Sequence, residues 1–153
     1  MPEFRIGKRI AIDFGNARIG VAVSSTDGLM ASPLSTVTND NESIANILNL
    51  IVETSAFEIY VGLPLNLQGE HTKSTELAIE FAKLLSAQTD VPVRLVDERM
   101  STRAAQGQLF ASGKNTKQSK GIIDAAAATL ILESALAIEK NSGRVPGTSV
   151  TEF

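Results

Sequence analysis

Ile10-Ala11-Ile12-Asp13-Phe14-Gly15-Asn16-Ala17-Arg18-Ile19-Gly20-Val21-Ala22-Val23-Ser24 reads as two apolar strands joined by a tight polar turn. A single carboxylate, Asp13, stands near the end of the first strand, with Gly15-Asn16 behind it. A hairpin needs no acid inside an apolar run, and burying an unpaired carboxylate costs several kcal/mol. Asp13 therefore needs a nearby cation, a set of backbone N–H groups or a bound metal ion. The alternative is that it caps its own turn, where Asp is a common residue.

The rest of the chain continues the pattern. Leu29 to Thr38 reads as a third strand, placed at a sheet edge by Pro33. Asn39-Asp40-Asn41 offers caps for a helix over 42–54, where Ile44, Ile47, Leu48 and Ile51 recur at helical spacing. Phe57 to Leu63 is an apolar run suited to a strand buried on both faces. The loop Pro64 to His71 leads to a second helix, carried by Leu77, Ile79, Phe81, Ala82, Leu84 and Leu85 and capped by Thr72 or Ser74. Val93 to Glu98 is a fifth strand, and a short helix is expected from Ser101 or Thr102 to about Phe110. Ser112 to Gly121 reads as a polar loop, Ile122 to Ile138 as a long helix, and residues 142–153 as a disordered tail after one domain over 1–141.

The order β-β-β-α-β-α-β-α predicts an α/β fold: a mixed five-stranded sheet with helices on both faces. Sites in such sheets form beyond the carboxyl ends of the parallel strands. Asp13, the Leu63-Pro64 loop and Asp97-Glu98 all fall at that edge. Strand alternation lets Asp97 or Glu98, but not both, share the face of Asp13. Glu98, longer and at the strand exit, is the candidate; both acids could instead be solvated strand-end charges. Asp124 opens the long helix, ahead of Ala125-Ala126-Ala127-Ala128. Small residues let a helix approach a sheet closely and would bring Asp124 to the strand ends. Equally, an acid in a first turn complements the helix dipole, and alanine is the best helix former.

Composition narrows the chemistry. The 153 residues contain no cysteine and one histidine. Thiolate and histidine-rich metal sites are excluded, which leaves carboxylates with hard cations. Three carboxylates from separate segments suit one or two Mg²⁺ or Mn²⁺ ions, and such ions activate water for phosphodiester hydrolysis. The net charge is −3, yet Arg99, Arg103, Lys114, Lys117 and Lys120 follow one another without an intervening acid and lead directly to Asp124. That segment is suited to a phosphate backbone. No apolar run approaches the length of a membrane span, and no signal-peptide pattern opens the sequence, so a cytoplasmic protein is expected.

Four blocks resemble the YqgF/RuvX family of Holliday-junction-resolvase-like proteins: Ile12 to Ser24, Val61-Gly62-Leu63-Pro64-Leu65 with Gly69, Asp97-Glu98-Arg99-Met100-Ser101-Thr102, and Ile123-Asp124-Ala125-Ala126-Ala127. Their order and spacing span about residues 9–139. The resemblance implies a ribonuclease-H-like fold and a metal-dependent nuclease with Mg²⁺ or Mn²⁺ at Asp13, Glu98 and Asp124. It implies a role in maturing the 5′ end of 16S ribosomal RNA precursor, or alternatively the resolution of branched DNA. The nucleic-acid contacts expected are Arg18, Arg99, Arg103, Lys114, Lys117 and Lys120, in a monomer or homodimer. Glu70-His71 and Gln118-Ser119-Lys120-Gly121 depart from the glycine- and serine-rich loop and the more basic segment the family would show. Two rivals remain: an actin-like ATPase, which usually requires a second related domain, and a non-catalytic nucleic-acid-binding module.

Overall fold

The computed structural model describes residues 4–98 and 116–153, with residues 116–124 described through their helical backbone. The elements are β1 (Arg9–Phe14), β2 (Arg18–Ser24), β3 (Ala31–Thr38), α1 (Ser43–Thr54), β4 (Glu58–Leu63), α2 (Lys73–Ser86), β5 (Val93–Asp97), α3 (Thr116–Ser142) and β6 (Thr148–Ser149), with a final 3₁₀ turn at Val150–Glu152. The strands form one sheet in the order β3-β2-β1-β4-β5-β6. β1, β4 and β5 run parallel, while β2, β3 and β6 are antiparallel to their neighbours. The α/β class and mixed sheet are those expected, with one strand more.

Alternation along the strands builds two cores. Ile10 and Ile12 of β1, Ile19 and Val21 of β2 and Ile59 and Val61 of β4 face α1 and α2, packing with Ile47, Ile51, Phe81 and Leu85. Ala11, Ala22, Tyr60 and Val96 face the opposite way and pack against Ala128, Ile131, Leu132, Ala135 and Leu136 of α3. Small residues on both sides of this second interface let α3 lie close to the sheet. Pro33 does sit on an edge strand, opposite Ala22, where the β2–β3 register shifts.

Helix ends follow local chemistry. Thr72 caps α2: its hydroxyl accepts from the Thr75 amide at 3.4 Å, and the Thr75 hydroxyl accepts from the Thr72 amide at 2.8 Å. Thr72→Ala is expected to lower stability by about 1 kcal/mol in chemical denaturation. α3 is longer than its apolar pattern predicts. It starts at Thr116 and runs through Gly121, so the reading of 116–121 as loop is corrected. No apolar residue in that stretch could mark a face. Gly143, with φ +70°, ends α3 and donates its amide to the Glu139 carbonyl at 2.8 Å.

The expected tail is also corrected. β6 pairs with Arg94 and Leu95 of β5, Arg94 donates to the Pro146 carbonyl at 2.6 Å and the Gly147 carbonyl at 2.7 Å, and Val150 is buried. A two-residue strand is too short for alternation to announce it. The short helix expected over 101–110 lies outside the described residues.

The far end of α3 is fastened at the amino ends of β1 and β4. Arg9, fully buried, pairs with Glu139 at 3.1 Å; Arg5 bridges Glu139 at 2.8 Å and Glu58 at 2.6 Å. The Tyr60 hydroxyl donates to Glu58 at 2.8 Å. Phe4 and Phe57 cover the Arg9 guanidinium with ring centroids at 4.3 and 4.8 Å.

Candidate functional site

The carboxyl ends of β1, β4 and β5 gather the acidic candidates. Asp13 shares the α3-facing side of β1 with Ala11, and Glu98 shares that side of the β5 exit with Val96. Asp97 belongs to the opposite side, with Val93 and Leu95. Glu98 is therefore the acid that joins Asp13, and the two carboxyl groups are hydrogen-bonded to each other. Burial raises the Glu98 pKa above the ordinary carboxylate value, and the charge of Asp97 pushes in the same direction. The bond from Asp13 opposes both.

Backbone pairing explains why the two acids meet. Asp13 is opposite Gly20 on β2, and Gly62 on β4 is paired with Val96 on β5. β4 lies between β1 and β5. At position 62 the Glu98 carboxylate and the Ile131 side chain of α3 occupy the space a Cβ would take. The turn after Asp13 is braced by Asn39, whose side chain donates to the Gly15 carbonyl at 2.9 Å and whose amide donates to the Ala17 carbonyl at 3.0 Å. Asn39 carried no signal in the sequence beyond that of a helix cap.

Of the predicted phosphate contacts, Arg18 opens β2 on the face of Asp13, diagonal to it across the Asp13–Gly20 pair. Lys117 and Lys120 lie in the first turns of α3. Arg99, Arg103 and Lys114 lie outside the described residues. Position 124 falls within α3, four residues before Ala128 and seven before Ile131, at the register that faces the sheet. Because α3 runs from the carboxyl edge, near Ile131, to the amino ends at Glu139, position 124 is about 10 Å further toward that edge. The Asp124 side chain lies outside the described residues.

The arrangement offers oxygen donors alone, which suit hard divalent cations. Among the described residues no group of three or more His, Cys, Asp or Glu side chains is placed to hold a metal ion; Asp13 and Glu98 form a pair. Two carboxyl groups in contact repel each other when both are ionised. A divalent ion would relieve the same repulsion, so the residues fit such a group. Among the described residues no helix is long and apolar enough to cross a membrane.

A family profile described as "RuvX: Holliday junction resolvase" matches residues 7–138. A Clavibacter michiganensis protein named pre-16S rRNA nuclease is 46% identical over 149 residues, covering 95% of this chain and 92% of its own. Proteins of the same name from Leifsonia xyli and Streptomyces coelicolor are 45% and 42% identical, over 148 and 152 residues. They cover 95% and 97% of this chain, and 96% and 91% of their own. Among solved structures, Thermus thermophilus RuvC in complex with Holliday junction substrate superposes with a TM-score of 0.56 at 17% identity. The match covers 89% of this chain and 97% of that one, and it supports the fold.

Proposed function

Because the chain belongs to the RuvX family, we propose that it is a metal-dependent nuclease that hydrolyses phosphodiester bonds in the cytoplasm, in 5′-end processing of 16S ribosomal RNA precursor. The observation that carries this reading is the meeting of Asp13 and Glu98 at the carboxyl edge of the parallel strands. Substrate class rests on the relatives, which are named for pre-16S rRNA.

Asp13, Glu98 and Asp124 would hold one or two Mg²⁺ or Mn²⁺ ions, which when bound supply charge compensation and an activated water. Asp13 lies opposite Gly20 of β2, so no side chain stands at the position paired with it on that strand. Glu98, partly desolvated, gives the site an acid that ionises fully when a cation is near. Arg18, on the same face, can contact the substrate backbone, and Arg99, Arg103, Lys114, Lys117 and Lys120 would extend that contact without reading sequence.

The alternative substrate is branched DNA, favoured by the family description and by the RuvC complex. The test is to present a 5′-extended 16S precursor RNA and a four-way DNA junction to the protein at equal concentration in Mn²⁺. Faster cleavage of the RNA supports the proposal. Cleavage of the junction alone replaces it with resolvase activity, and tight binding without cleavage of either replaces it with a binding module.

A further inference from the structure

We infer that Gly62 is a positioning residue of this site: the bare backbone of β4 is the seat across which Glu98 reaches Asp13. The inference rests on the nuclease reading for its consequence and on geometry for its substance. Neighbouring strands lie about 4.8 Å apart, so β1 and β5, on either side of β4, are about 10 Å apart. Two acids on non-adjacent strands do not ordinarily touch. Here they do, because the residue between them has no side chain.

The fit is tight on two sides. A Cβ at position 62 would overlap the Glu98 carboxylate, and it would lie 2.7 Å from Cδ1 of Ile131. Real Cβ contacts essentially never fall below 3.0 Å. Ile131 is itself buried under α3. The helix thus roofs the seat, the strand floors it, and Glu98 enters from the β5 side. Main-chain pairing holds the entry as well: the Glu98 amide donates to the Leu63 carbonyl at 3.3 Å. Any L side chain at 62 must push either α3 or Glu98, and Glu98, on the surface side of the seat and only partly buried, is the partner with room to turn.

Backbone strain is not the reason for glycine here. Gly62 lies in a regular parallel pairing with Val96, and its φ is not among the positive values. What is required is the missing side chain.

The test uses the full chain and a double-mutant cycle. Gly62→Ala is made together with Ile131→Val, which removes the methyl that the new Cβ would meet and leaves the Glu98 overlap in place. The expected result is a folded protein whose kcat falls by roughly 10²-fold with KM little changed, since a misplacement of about 1 Å has that effect. Adding Glu98→Gln should produce no further loss beyond Glu98→Gln alone. A metal-free crystal structure of the Gly62→Ala/Ile131→Val chain should show Glu98 turned away from Asp13. Wild-type kcat in that variant, additive losses with Glu98→Gln, or the two carboxyl groups still in contact would each overturn the inference. If the wild-type chain cleaves nothing while the crystal structure shows Glu98 displaced, the positioning role stands and the nuclease reading falls.

Discussion

Asp13→Asn is expected to lower phosphodiester cleavage on the order of 10³-fold, the scale of removing one well-placed electrostatic group from an active site, with no loss of stability. Asparagine keeps the size and one oxygen of the side chain. It removes the charge that would hold a divalent ion. Asparagine also removes the like-charge repulsion that two neighbouring carboxylates exert when both are ionised, so the thermal midpoint should hold or rise. Sites that trade stability for activity behave in this way. Paired measurements of cleavage rate and thermal unfolding check the prediction. A variant that loses activity because it unfolds, or one that still cleaves, would remove Asp13 from the role assigned to it.

Glu139→Ala should destabilise the fold by about 3–5 kcal/mol, because it strands a buried cation. Arg9 is fully buried, and Glu139 is the acid that neutralises it at 3.1 Å. The Arg9 Nε has no hydrogen-bond partner among the described residues, so the group is already incompletely satisfied. Arg5 would lose three bonds to the same carboxylate, at 2.9, 3.1 and 2.8 Å. Arg5 would then keep Glu58, and Arg9 would keep no ion pair among the described residues.

Acid should produce a milder version of this loss. Burial tends to raise the Glu139 pKa, but the hydrogen bonds and charges of Arg5 and Arg9 outweigh it and hold the carboxyl below its ordinary value of 4.5. A carboxyl with a lowered folded-state pKa contributes stability that is complete above the unfolded value. That contribution is lost as pH falls through the lower, folded value. Urea midpoints measured across pH 3–6 should therefore fall below about pH 4.5 in the wild type more than in Glu139→Gln. A Glu139→Ala variant as stable as the wild type would show that this network does not anchor α3.

Much of the fold was legible because its signals are local and repeated. The hairpin around Asp13 shows two alternating apolar runs, and Pro33 marks an edge strand. The choice of Glu98 over Asp97 followed from alternation and from side-chain length. Other features were hidden for definite reasons. The first turns of α3 carry no apolar residue to reveal a face. β6 has two residues, fewer than a pattern needs. Arg5 and Arg9 show no local sign of their partner, because Glu139 is 134 and 130 residues away. Gly62 could be marked for close packing, but what packs there depends on a register between strands that the sequence does not print.

The role proposed for the carboxylate pair at the carboxyl edge of this sheet is phosphodiester hydrolysis with a divalent ion. The most direct measurement is the rate at which the wild-type chain cleaves a 5′-extended 16S precursor RNA in Mn²⁺ or Mg²⁺, in excess chelator, and after the metal is restored. Cleavage with metal, none in chelator and recovery on restoring the ion are expected. Cleavage unaffected by chelator, or firm RNA binding with no cleavage in either metal, would contradict it.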